Sequence, residues 1–175
     1  MATFVEKELI RHGIDLKLGA KIDGIFKDHI LVDGKRIEAG IVISAVGVRP
    51  DIGLAKNAGI EIGERGGIAV NEFNQTNDPN IYAIGDVAEK KDALDGSATL
   101  VPLANLANRH GRIVSDHILN RPIRSVPTIS TAIVKVFDLT VAITGWNAKK
   151  LRAASREFLE IHTHPNHHAG YYPNA

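Results

Sequence analysis

An apolar run that breaks off at a glycine and an acid, Ile81-Tyr82-Ala83-Ile84-Gly85-Asp86, constrains this chain more than any other stretch. Four residues suited to a sheet interior, bounded upstream by Pro79, predict a buried strand. Gly85 lets backbone pass close to something bulky. Asp86 then stands at the strand's carboxyl end, where open α/β sheets bind their ligands, and its carboxylate can accept hydrogen bonds from ribose or ribityl hydroxyls. Taken alone, a Gly-Asp pair after a strand more often makes a turn. Its neighbours in the chain change that balance.

Upstream, Ile41-Val42-Ile43-Ser44-Ala45-Val46-Gly47-Val48-Arg49-Pro50 predicts a second strand ending in glycine. Gly47 is either an ordinary strand-end glycine or a point of close approach to a nucleotide. Downstream, Leu100-Val101-Pro102-Leu103-Ala104 opens a helix expected to reach residue 119. Pro102 stands near its first position, where a missing N–H costs nothing, and Leu103, Leu106, Ala107, Val114 and Ile118 form its inward stripe. The polar residues 89–98 read as a loop.

The rest of the chain falls into territories without an internal repeat. An amphipathic helix, with Phe4, Val5, Leu9 and Ile10 facing in, is stopped by Gly13. Short strands are expected at 14–18, 21–26, 29–32 and 36–38, with Asp33-Gly34 as a hairpin turn, and a further strand at 67–70. Beyond residue 125, β-branched alternation predicts strands at 131–136 and 140–144. Asn147 caps a helix through Ala154, and a last strand is expected at 158–163.

Composition narrows the function classes. A net charge of +1 and 5% aromatic residues give no footprint for nucleic acid. No stretch approaches a membrane span, and Glu6, Lys7, Glu8 and Arg11 interrupt the first residues where a signal peptide needs an apolar core. The expected location is cytoplasmic. His162, His164, His167 and His168 form a tempting cluster, but no local acid or cysteine joins them, and no metal site is expected.

The stretches AVGVRPD ending at Asp51, GGIAVNEFNQTNDPNIYAIGD ending at Asp86, VPLANLANRHGR ending at Arg112, and the C-terminal HPNHHAGYYPNA carry a resemblance. The chain resembles the second half of FAD-dependent pyridine nucleotide-disulfide oxidoreductases, in the branch of coenzyme A-disulfide reductases, NADH oxidases and NADH peroxidases. The resemblance implies an α/β fold: partial nicotinamide- and FAD-binding Rossmann-like domains, then the start of an α+β dimerisation domain. The implied boundaries are 1–47, 48–122 and 123–175. It implies FAD and NAD(P)H as cofactors, a disulfide, oxygen or peroxide as acceptor, and a homodimer.

Site roles follow from the same resemblance. Gly85 and Asp86 would face the ribityl chain. The helix opening at Pro102, through the backbone of Leu103 and Ala104, would face the flavin pyrimidine, and Gly47 would lie beside the nicotinamide nucleotide. Tyr171 and Tyr172 would approach the partner subunit's active site, one as a hydroxyl donor and the other as packing. The chain also departs from the family: it has no cysteine and no G-x-G-x-x-G after a strand, so the redox thiol and both pyrophosphate loops are missing. It therefore reads as a piece of such an enzyme, inactive and weak in flavin binding by itself. The alternative is a non-catalytic truncated product that folds and dimerises.

Overall fold

A computed structural model describes residues 2–123, 128–164 and 171, in two units, Met1–Thr144 and Gly145–Ala175. The first unit opens with α1, Ala2–Arg11. Gly13, at φ 78°, closes it: its N–H reaches the Ile10 carbonyl and that of Ile14 reaches Leu9. A meander follows, β1 (Ile22–Ile25), β2 (His29–Val32) and β3 (Lys35–Glu38), in antiparallel order. Asp33 and Gly34 turn the second hairpin with φ 48° and 71°, the left-handed pair that a two-residue turn matching strand twist requires. Asp33 and Asp23 carboxylates accept the N–H groups of Lys21 and Gly34.

Two of the strands expected before residue 50 do not form. Residues 14–18 carry no element, and neither do residues 41–48, where Ile41, Ile43 and Val46 are 85%, 86% and 88% exposed. A run apolar at successive positions suits a strand covered on both faces and paired on both edges, and no described residue pairs with this one.

After α2 (Gly53–Asn57) comes a small mixed sheet of β4 (Ile68–Ala69), β5 (Ala88–Lys91) and β6 (Ala98–Thr99). β4 pairs parallel with β5, Ile68 opposite Ala88, and β5 pairs antiparallel with β6. Its support is Glu89, a buried carboxylate that accepts the N–H groups of Arg65 and Gly67 at 2.8 and 3.1 Å. A Cβ at 63 would collide with the Glu89 carboxylate, so any other residue there must displace that carboxylate from its donors.

The strand expected at 81–84 is likewise absent; the sheet strand begins at Ala88, after the 85–87 turn, and runs into the 89–98 stretch expected to be a loop. Asn74 explains the difference. Fully buried, with φ 64°, it takes over the ladder: its side-chain amide donates to the Ala83 carbonyl at 2.8 Å and its own carbonyl accepts the Ala83 N–H at 3.0 Å. Ile81 and Ile84 are consequently exposed, not interior.

Helix α3 (Ala104–Ile118) starts after an extended Leu103 with no side-chain cap, so Pro102 precedes the cap instead of opening the helix. It buries Leu106 and His110, whereas Ile118 is exposed. The hairpin β7 (Thr131–Val136) and β8 (Leu139–Thr144) pairs in unbroken register from Thr131 opposite Thr144 to Val136 opposite Leu139. Its turn meets α1, where His12 stacks on Phe137 at 3.8 Å between ring centres and Arg11 donates to Asp138 at 2.8 Å.

In the second unit, Asn147 caps α4 (Ala148–Ala153) by accepting the Lys150 N–H at 2.9 Å. The Lys150 ammonium lies 4.4 Å from the Trp146 ring centre. Residues 158–163 form no strand: Leu159 and Ile161 are exposed, and no described strand offers them a ladder. No helix among the described residues is long and apolar enough to cross a membrane.

Candidate functional site

The Gly85-Asp86 pair sits in a 3-10 turn, Gly85–Val87, between the Asn74-paired segment and β5. Gly85 adopts φ 74°, a left-handed conformation that glycine enters without a Cβ clash. The turn packs against the start of α3: a Cβ at Gly85 would stand 3.7 Å from the Ala107 methyl. One turn of helix further on, buried His110 accepts the Gly85 N–H at Nδ1, 3.3 Å away. Asp86 projects from this buttressed turn and is exposed.

Lys90 closes the polar interior beneath. Its ammonium donates to Asn74 Oδ1 at 2.8 Å and to the Glu72 carbonyl at 3.1 Å. Burial lowers its pKa, with Glu72 pulling the other way. Burial, reinforced by the positive charges of Lys90 and Arg109, lowers the His110 pKa to about 4, so its imidazole is neutral at neutral pH.

The start of α3 borders an open cleft of about 680 Å³, with Leu103, Ala104 and Asn105 on one side and Thr131, Ile133 and Ile143 of the hairpin on the other. Leu103 spends its own N–H on the Val101 carbonyl at 2.8 Å, while its carbonyl accepts Leu106 and Ala107. The amides of Ala104 and Asn105 are thus the donors left open among the described residues. Uncapped helix amides and the positive end of the helix dipole make this rim suited to a group that carries or develops negative charge. A polar-rimmed, apolar-walled cleft fits the ring portion of a flavin. Asp86 is not among the residues that line this cleft; it stands on the turn that packs against α3.

Gly85 and Asp86 therefore lie on the turn that packs against α3, whose first turn carries Leu103 and Ala104, with Pro102 exposed just ahead of the cap. Gly47, at φ 98°, lies in the element-free segment with nothing within 4 Å of the place a Cβ would occupy, and no described contact joins it to the cleft. Tyr171 is 82% exposed in the second unit, and Tyr172 lies outside the described residues. His162 stands 3.5 Å from Glu160, while His167 and His168 also lie outside the described residues. Glu8, His12 and Asp138 bring ligand-type atoms within 4.8 Å of one another, yet the Arg11 guanidinium already bridges the two carboxylates.

Sequence reasoning missed Asn74, Lys90, Asn105 and His110. For His110 a signal existed: a titratable residue at helical spacing from Leu106, on the stripe that packs inward.

A family model for pyridine nucleotide-disulphide oxidoreductases matches residues 1–111. The chain is 33% identical, over 96% of its length and 40% of the relative's, to the Pyrococcus furiosus protein named NAD(P)H sulfur oxidoreductase (CoA-dependent). It is 39% identical, over 85% of its length and 34% of the relative's, to the NADH oxidase of Methanocaldococcus jannaschii. Among solved structures it is similar to reduced Bacillus anthracis CoADR-RHD, with a TM-score of 0.93 and 41% identity over 99% of this chain and 32% of that one. The chain spans two fifths or less of each of these relatives. The likeness bears out the expected partial α/β, Rossmann-like architecture.

Proposed function

Because the chain belongs to the pyridine nucleotide-disulphide oxidoreductase family, we propose that it forms the flavin-facing part of an NAD(P)H-dependent oxidoreductase acting on a disulfide, oxygen or peroxide. The observation that carries this reading is the packing of the Gly85–Val87 turn on α3, which sets an acid and an uncapped helix start on adjoining elements. FAD, when bound, supplies the two-electron relay between the nicotinamide and the acceptor.

The chain's own contribution is binding and electrostatics. Asp86 accepts hydrogen bonds from ribityl hydroxyls, and the amides of Ala104 and Asn105 stabilise negative charge at the pyrimidine edge. Gly47 belongs to a nicotinamide-binding portion at 1–47, the flavin portion covers 48–122, and 123–175 begins a dimerisation portion. One of Tyr171 and Tyr172 donates a hydroxyl in the neighbouring subunit of a cytoplasmic homodimer. With no G-x-G-x-x-G loop to hold the pyrophosphate and no cysteine, these 175 residues alone bind FAD weakly and reduce no disulfide.

Flavin affinity tests the reading. In the complete protein, Asp86→Ala should weaken flavin binding by about 1.5–3 kcal/mol, the range for a hydrogen bond to a charged group, and Asp86→Asn by less. Equal affinity in wild type and both folded variants would return Asp86 to the role of a turn residue.

A further inference from the structure

We propose that His110 is the positioning residue for Asp86: its imidazole, accepting the Gly85 N–H at Nδ1, holds the 3-10 turn in the conformation that carries the carboxylate. The proposal rests on the reading of Asp86 as the flavin-facing acid, but the latch itself is a property of this chain with or without flavin.

Three observations converge on it. Gly85 sits at φ 74°, so its N–H points away from the path of a regular strand and needs a partner of its own. The partner is 3.3 Å away on α3, on a side chain only 5% exposed, three residues after Ala107, whose methyl a Cβ at Gly85 would meet. A leucine would fill much the same space yet leave that N–H without an acceptor.

Accepting at Nδ1 requires a neutral ring with its proton on Nε2. Burial favours the neutral form, and the surrounding charges reinforce it. Lys90 on β5 is fixed in place by Asn74 and the Glu72 carbonyl, and Arg109 precedes His110 on the helix. The acids nearby do not offset them: Asp86 on the packed turn is exposed, and Glu89 on β5 is engaged by Arg65 and Gly67. Protonation turns Nδ1 from acceptor into donor, so an imidazolium expels the Gly85 N–H and releases the turn.

The test uses the 175-residue chain and needs no flavin. Nitrogen-15 spectra locate the ring proton, and hydrogen exchange reads the Gly85 amide in wild type, His110→Gln and His110→Leu. The expected result is an unprotonated Nδ1 at pH 7, with Gly85 exchange about five- to tenfold faster in His110→Leu. His110→Gln, whose amide oxygen can accept, should restore part of the protection, and the Leu31 amide in the meander should be unaffected. A proton on Nδ1 at neutral pH, or equal Gly85 exchange in wild type and a folded leucine variant, overturns the proposal. Should the leucine variant not fold, acid titration of wild type decides. A Gly85 amide shift sharing the midpoint of the His110 ring supports the latch, and one that ignores the ring overturns it. Failure of Asp86 substitutions to alter flavin affinity would defeat the flavin reading and leave these outcomes untouched.

Discussion

The Asn105 side-chain amide donates to the Thr131 carbonyl at 3.2 Å, fastening the first turn of α3 to the start of β7 across the mouth of the cleft. The same side chain turns its oxygen to the Leu106 N–H at 2.8 Å. Asn105→Ala removes both contacts, and urea unfolding should register a loss of about 0.5–1.5 kcal/mol, the net worth of an ordinary hydrogen bond or two near solvent. Unchanged stability, with unchanged exchange at the β7 amides, would show that the hairpin is held to α3 by other means.

Gly63 is a second point where a single methyl should be costly. A Cβ there drives the Glu89 carboxylate off the amides of Arg65 and Gly67, leaving a buried charge without its donors. Gly63→Ala should therefore destabilise the chain by about 1–3 kcal/mol or more, measured by the same urea midpoint. A neutral outcome would mean that the loop at 63–67 shifts freely around the carboxylate.

The depressed His110 pKa predicts an acid-side loss of stability. In the unfolded chain the imidazole titrates near 6.5 and in the folded chain near about 4. Between those values the unfolded state binds a proton that the folded state refuses, so stability falls as pH drops from about 6.5 towards 4 and changes no further on this account below that. Above about 6.5 both states are neutral and the contribution is flat. His110→Gln should remove this component, which is read as the difference between the two stability-against-pH curves. Superimposable slopes from pH 7 to 4 would contradict the shift.

What could be read from the sequence was what local chemistry decides. Asp33-Gly34 names its own turn because left-handed φ is a property of those two residues, and Asn147 announces a helix start because its oxygen finds the amide three residues on. The failures came from distant partners. Residues 81–84 look like a strand because their apolar pattern cannot reveal that a buried Asn74 takes both backbone hydrogen bonds of Ala83. The run at 41–48 looks like one because a sequence does not say whether neighbouring strands are there to receive it. His110 stands out in the sequence as a titratable residue on the inward stripe, but its partner Gly85, 25 residues earlier, emerges only in the fold. The Gly85-Asp86 pair and the helix near Pro102 could be read as separate signals, whereas their juxtaposition is a matter of tertiary packing.

Assembly is open to direct measurement. Ile133 and Val134 are exposed on a two-stranded hairpin whose outer edges lack strand partners among the described residues, a surface that a second copy can cover. Sedimentation at micromolar concentration should give a dimer, and a monomer would contradict this. In the complete enzyme, either Tyr171→Phe or Tyr172→Phe should lower turnover while dimerisation and flavin content persist. Unchanged turnover in both single variants and in the double variant would remove the tyrosines from the chemistry.

Amide mapping with added flavin tests the central claim most directly, because it reports where the flavin sits even when affinity is low. Riboflavin carries the ring and ribityl chain without the pyrophosphate that this chain lacks a loop to hold. Titrated into the isotopically labelled protein at up to millimolar concentration, it should shift the amides of Gly85, Asp86, Ala104 and Asn105 together, with one saturation curve, and leave the α4 amides unmoved. Shifts confined to other surfaces, or none at these four positions, would contradict the assignment of the turn and the α3 start as the flavin-facing site.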